Sequence, residues 1–238
     1  MNNVVGYNPE ELDALLDTIG SSYMKANSYV NGAFNNLATI IFFGETNGFG
    51  GWYAPDAVEF EKKFFEPLQR QMRNDVNRTY KAIYEPALSA ANAWNKATGN
   101  NRTWAKIGFN AQFVYEYKAK PKDSNGNIRI HPDMLIRIKQ RKTEVVKQYS
   151  MYLDDSLEYL KQHSVFLGEH QQEVFVNAIT KLNDRLKNKS IELYDEAINA
   201  LNTSIEKYRL IAKQIAGSFD VVTKSVNTVM NTVSDVFK

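Results

Sequence analysis

An all-α chain, built as an elongated antiparallel four-helix bundle of two tandem helical hairpins, is what this sequence predicts. Three observations carry the expectation. Apolar residues recur at steps of three and four over most of the 238 residues. Glycine and proline are sparse, at 12 and 6, which favours long helices over a many-turned β fold. A helix–joint–helix pattern also occurs twice: Trp52-Tyr53-Ala54 in the first copy aligns with Phe166-Leu167-Gly168 in the second, 114 positions later. In the same register Phe60 aligns with Val174, and Phe64 with Ala178.

The first helix has a defined start. Asn8 is a suitable N-cap, Pro9 fits the first helical position, and Glu10 and Glu11 lie where the helix dipole favours acids. Leu12, Leu15, Ile19, Tyr23, Ala26, Val30, Ala33, Leu37 and Ile40 or Ile41 then form a stripe, which Gly44, Gly48, Gly50 and Gly51 end. A second helix is expected from Pro55 to about Trp94, with kinks or breaks at Pro67 and Pro86. Between 111 and 131 the period shifts toward two. Ser124-Asn125-Gly126-Asn127 is a good turn between arms ending at Lys118 and His131, so a small β-hairpin is predicted. A third helix follows Pro132-Asp133, with Leu135, Ile138, Val145, Tyr149, Tyr152 or Leu153, Leu157 and Leu160 on one face. The fourth starts near Glu169 and runs through Phe175, Ile179, Leu182, Leu186, Leu193, Ala197, Leu201, Ile205, Tyr208, Ala212 and Ile215. Beyond Gly217 its stripe continues at Phe219, Val222, Val226, Val229, Val233 and Val236. That tail is rich in Val, Thr, Ser and Asn, which are middling helix formers, so it is expected to need a partner surface.

The absence of cysteine excludes disulfides, thiolate nucleophiles and cysteine-ligated zinc. The longest apolar run, Leu37 to Phe43, is too short to span a bilayer, and no basic region precedes an apolar stretch at the N-terminus. The net charge of +2 is unevenly spread: residues 1–100 carry 8 Lys/Arg against 11 Asp/Glu, residues 101–150 carry 11 against 4, and residues 151–238 carry 10 against 12. Lys118, Lys120, Lys122, Arg129, Arg137, Lys139, Arg141 and Lys142 make the middle basic, a candidate contact for an anionic partner. Tyr115, Tyr117 and Trp104 add stacking residues.

Catalytic patterns are missing from the sequence. There is no phosphate loop, dinucleotide fingerprint or nucleophile elbow. His163, Glu169, His170 and Glu173 lack metal-protease spacing and read as a solvated helix start. Adjacent acids such as Asp154-Asp155 and Asp195-Glu196 diverge by about 100° on a helix and do not form an acid/base pair. No enzyme activity, metal or cofactor is expected.

Helix, aromatic-x-small turn and helix together resemble the WXG (Trp-x-Gly) superfamily of type VII (ESX) secretion proteins, whose hairpins pair into antiparallel four-helix bundles. The resemblance implies that Trp52, Ala54 and Phe60, with Phe166, Gly168 and Val174, are structural turn elements. It divides the chain into a first hairpin at 1–100, a basic β-hairpin insertion at 101–132, a second hairpin at 133–217 and a Val-striped tail at 218–238. Neither joint holds both Trp and Gly, and the family's Tyr-x-x-x-Asp/Glu signal is matched only by Tyr7 and Glu11, ahead of the first helix. The implied function is non-enzymatic: a secretion substrate, partner or adaptor that packs helices against another protein or the secretion machinery. The expected location is then secreted or at the bacterial cell surface by a signal-peptide-independent route, or cytoplasmic if not exported. The alternatives are an α-helical pore-forming toxin component, or binding of nucleic acid or another anionic polymer through the basic middle; membrane contact is left open, with no transmembrane segment expected. The state expected is a monomeric pseudo-dimer, or a homo-oligomer through the tail.

Overall fold

A computed structural model describes residues 8–43, 51–104 and 106–236, with side chains left aside at 148–149 and 227–236. It is mainly helical: α1 (Pro9–Phe42), α2 (Pro55–Phe60), a π-helical turn (Glu61–Phe65), α3 (Glu66–Thr98), α4 (Met134–His163), a 3-10 turn (Val165–Leu167) and α5 (Glu169–Val236). The glycines at 44, 48 and 50 and the tyrosine at 7 lie outside the described residues.

Local chemistry sets the ends. The Asn8 side chain accepts the Glu10 backbone N–H at 3.0 Å, and Pro9 opens α1. Gly99 closes α3 in the left-handed conformation at φ 69°, with its N–H on the Asn95 carbonyl. The expected interruption at Pro67 takes the form of the π turn just before it, where the Glu66 N–H reaches the Glu61 carbonyl. Pro86 does not end α3.

Cross-helix contacts fix the directions. Tyr23 meets Asn77 and Tyr80, while Phe34 and Phe42 meet Phe65, so α1 and α3 are antiparallel. Lys142 pairs with Asp195 and Lys187 with Asp154, so α4 and α5 are antiparallel too. Arg185 reaches Asp75 from α5 to α3, and Lys25 lies over the Tyr159 ring between α1 and α4. Each of α1 and α5 packs against both α3 and α4. The first joint therefore lies at one end, called upper here, and the second at the lower end.

The core is centred on α1. Its predicted stripe is buried, and so are Leu16, Tyr29, Phe34, Ala38 and Phe42 outside it. A helix buried beyond one stripe has neighbours on more than one side. Here α3, α4 and the segment following α3 all cover it.

That segment corrects the β-hairpin expectation. Among the described residues there are no strands. Two isolated bridges occur, and both use Tyr53, parallel with Lys120 and antiparallel with Arg129. The period-two signal is real, but it serves another purpose. Ile107, Phe109, Ala111, Phe113, Tyr115, Tyr117 and Ala119 face inward, while residues 108, 110, 112, 114, 116, 118 and 120 are exposed. Their partner is the α1–α3 surface, not another strand. Contacts climb α1 in order: Arg102 and Trp104 bind Asp13, Ile107 sits at Gly20, Phe109 packs on Tyr23 at 4.9 Å, and Tyr117 stacks on Phe43 at 4.2 Å. Residues 102–119, extended, span about 59 Å, enough for the roughly 51 Å of α1. This strap returns the chain to the upper end, so that α4 can descend antiparallel to α1. Folding back as a hairpin would halve its reach.

The predicted turn does form at the strap's top. Asp123 accepts the backbone N–H groups of Asn125 and Asn127 at 2.9 and 2.8 Å, and Gly126 takes φ 81°. The two arms are held apart because Tyr53 exchanges both backbone hydrogen bonds with Arg129, at 2.8 and 2.9 Å.

Candidate functional site

The upper joint is built around Trp52. After the chain leaves α1, the Trp52 N–H returns to the Ile41 carbonyl at 2.7 Å. Ala54 then caps α2 in an extended conformation, φ −157°, with Pro55 in the first turn. Its smallness is a packing requirement, since it is fully buried and its φ suits any residue. The Trp52 ring is 1 % exposed and lies 5.7 Å from Phe60, which stacks on Phe64 at 5.6 Å. A buried indole N–H requires an acceptor. It donates to Ser204 Oγ on α5 at 3.1 Å. Ser204 donates in turn to Asp56 Oδ2 at 3.1 Å, and Lys207 Nζ binds Asp56 Oδ1 at 2.8 Å. The Asp56 carboxylate holds the Lys207 ammonium above its ordinary pKa, chiefly through that hydrogen bond. One relay thus ties the first joint to the last helix. A groove of about 390 Å³ opens beside it, lined by Asp56, Glu59, Phe60, Lys63 and Lys207.

The lower joint is not an equal copy. Phe166 is half-buried, and Val174, aligned with the buried Phe60, is 59 % exposed. Gly168 has φ 85° and ψ 158°, a region open essentially to glycine alone. Glycine is thus required at this joint by conformation, whereas alanine suffices at the other by size. Beside it runs an apolar groove of about 570 Å³ between α3 and α5, floored by Leu15, Ile83, Pro86, Ala87 and Phe175.

The eight basic residues do not form one surface. Lys118 lies 3.0 Å from Glu66 and 3.5 Å from Glu61, above the Tyr115 ring at 3.7 Å. Arg129 faces Asp123 at 3.9 Å and the Tyr53 ring at 5.5 Å. Arg141 pairs with Glu144 at 2.7 Å and Lys142 with Asp195 at 2.6 Å. Lys120, Lys122, Arg137 and Lys139 make no ion pair among the described residues, and all four lie toward the upper end, on the strap's top and the start of α4. Half of the predicted patch is thus structural.

Sequence reasoning missed the group that anchors the strap. The π turn turns Glu61 inward to 5 % exposure. Its carboxylate accepts from Tyr115 Oη at 2.5 Å and from the Ala119 N–H at 3.2 Å. Tyr115 Oη also lies 3.1 Å from Glu66. Burial, then the Glu61 carboxylate, pushes the Tyr115 phenol up from its ordinary pKa. Lys118 draws the Glu66 carboxyl below the usual carboxylate range, with help from Tyr115. An acid buried beside a period-two aromatic run is not marked by spacing alone. Nor was Ser204 distinguishable from other small residues of α5.

No group of three or more His, Asp or Glu side chains poised for a metal occurs among the described residues, and no described helix is long and apolar enough to cross a membrane. No family model matches the chain, and no match to it was found among curated proteins or solved structures.

Proposed function

We propose that this chain is a non-enzymatic interaction protein of the type VII secretion class, acting as substrate, partner or adaptor through helix–helix packing. On this reading residues 1–100 and 133–217 are two WXG-like hairpins fused into a pseudo-dimeric four-helix bundle. The observation that carries it is Trp52: a buried aromatic at a helix–helix joint, followed by a fully buried small residue, with its indole bonded to the opposite hairpin. A fused pair makes the contacts that two separate hairpins would make between chains. The opposed positions of the two joints support the same reading, since antiparallel hairpins place their turns at opposite ends.

The test is a comparison of the bacterial host with an isogenic strain lacking the type VII motor. The proposal expects the protein outside the cell in the first strain only, or bound to the membrane-embedded machinery when retained. Equal export by both strains, or retention with no association, would overturn it.

A second reading draws on Lys120, Lys122, Arg137 and Lys139, four cations without ion pairs among the described residues toward one end. They suit an anionic polymer. Binding to single-stranded DNA or a teichoic-type polyphosphate should then weaken steeply with salt, and fall further when Lys120 and Lys122 become glutamine.

A further inference from the structure

The helix α5 is 68 residues long, about 102 Å at 1.5 Å per residue, and only its first part belongs to the bundle. Leu201, Ser204 and Ile205 are buried and Tyr208 packs on the core. From Arg209 through Val226 every residue is exposed. The helix therefore leaves the upper end as a stalk of about 42 Å. Ile215, Phe219, Val222 and Val226 are 53 %, 68 %, 57 % and 53 % exposed.

The spacing on this stalk is regular. Ile205, Tyr208, Ala212, Ile215, Phe219, Val222 and Val226 alternate steps of three and four, and the sequence continues the alternation to Val229, Val233 and Val236. More than four heptads of this kind specify a coiled-coil seam. The positions flanking the seam are Arg209, Ala216 and Thr223 on one side and Ile211, Ser218 and Ser225 on the other. Charges there normally choose the partner and set its direction. Arg209 is the single charge among these six, so nothing repels an identical helix and little would recruit a charged foreign one. Lys213, Asp220 and Lys224 lie on the outer face, too few and too mixed in sign for a basic, membrane-surface helix.

We infer that the occupant of this seam is the stalk of a second copy of the chain, packed antiparallel. Direction follows from the placement of the seam. The face that carries Ile205 and Tyr208 against the core carries Ala212 and Ile215 one and two turns higher, so the seam looks out over its own bundle. A parallel partner would bring its bundle down into the first. An antiparallel partner carries its bundle to the far end of the stalk, where the space is free. With 205 and 208 kept by the core, the free seam runs from 212 to 236 and is symmetric about 224, which sets Val222 beside Val226 of the second copy. Half the circumference of a helix over the roughly 37 Å of this seam is about 600–700 Å² per copy, within the range of a standard stable interface. This inference stands independently of the type VII reading.

The test uses the full chain at tens of micromolar in light scattering after size exclusion. The mass expected is twice 27.2 kDa. The double variant Phe219→Asp, Val222→Asp should raise the dissociation constant at least about a hundredfold and leave the circular-dichroism melting of the bundle in place. Because the chain lacks cysteine, Val222→Cys and Val226→Cys versions can be mixed and oxidised. Disulfide dimers joining one variant to the other are expected to exceed those within either. A monomer throughout, a dimer indifferent to the double variant, or cross-linking of each variant mainly to itself would overturn the inference.

Discussion

Trp52 and Phe166 align in the sequence, yet their surroundings differ enough to give different energetic roles. The Trp52 indole is buried and its N–H ends on Ser204, whereas Phe166 is only partly buried against the core. Trp52→Phe removes the donor and leaves the buried Ser204 short of one partner. It should destabilise the chain by about 1–3 kcal/mol in urea unfolding. Phe166→Ala, although a larger truncation, should cost about 1–2 kcal/mol, less than a fully buried phenylalanine would, because part of its apolar surface is already wet. Glycine is divided in the same way. Gly168→Ala places a Cβ at φ 85°, ψ 158° and should cost about 1–3 kcal/mol. Gly217→Ala lies in an open helical site with nothing within 4 Å and should raise stalk helicity, worth about 0.5–1 kcal/mol. Both aromatics and both glycines were visible in the sequence. Their unequal burial was not, because alignment of a repeat says nothing about what packs over each copy.

At the scale of elements, the sequence showed the four long helices plainly, since their apolar residues keep a helical period for many turns. It also showed the strap's alternation and its Asp123–Asn127 turn. What it could not show was the partner of the alternating face. Period two reports one buried side and one wet side, and a helical surface buries that side as well as a sheet does. The anchor at Glu61 and Tyr115 then predicts how the strap responds to acid. The folded Glu66 carboxyl titrates below its ordinary value because Lys118 and Tyr115 bind its charged form. Its contribution is therefore complete above the unfolded carboxylate pKa, near 4.3, and is lost as pH falls through the lower folded value. Hydrogen exchange at residues 113–119 should speed up over that window while the α1–α3 helices stay protected, and Glu66→Gln should remove part of the pH response. Tyr115→Phe should loosen the same segment at neutral pH, at a cost of about 1–3 kcal/mol, because Glu61 keeps its burial and loses its shortest donor.

At the scale of the whole molecule, the long tail stripe and the two hairpins were legible, but the division of α5 between bundle and stalk was not. The apolar pattern runs unbroken through Tyr208, and burial stops there because the other helices end, not because the sequence changes. The two hairpins and the strap make one cooperative body, joined across the first joint by Trp52, Ser204 and Asp56, with the stalk outside it. Native-state hydrogen exchange on the full chain measures this most directly. A common opening free energy is expected for the slowest amides of α1, α3, α4 and the part of α5 up to Tyr208, lowered together by Trp52→Phe, with faster exchange beyond Arg209. Separate opening energies for the α1–α3 and α4–α5 hairpins, with only the first responding to Trp52→Phe, would contradict it.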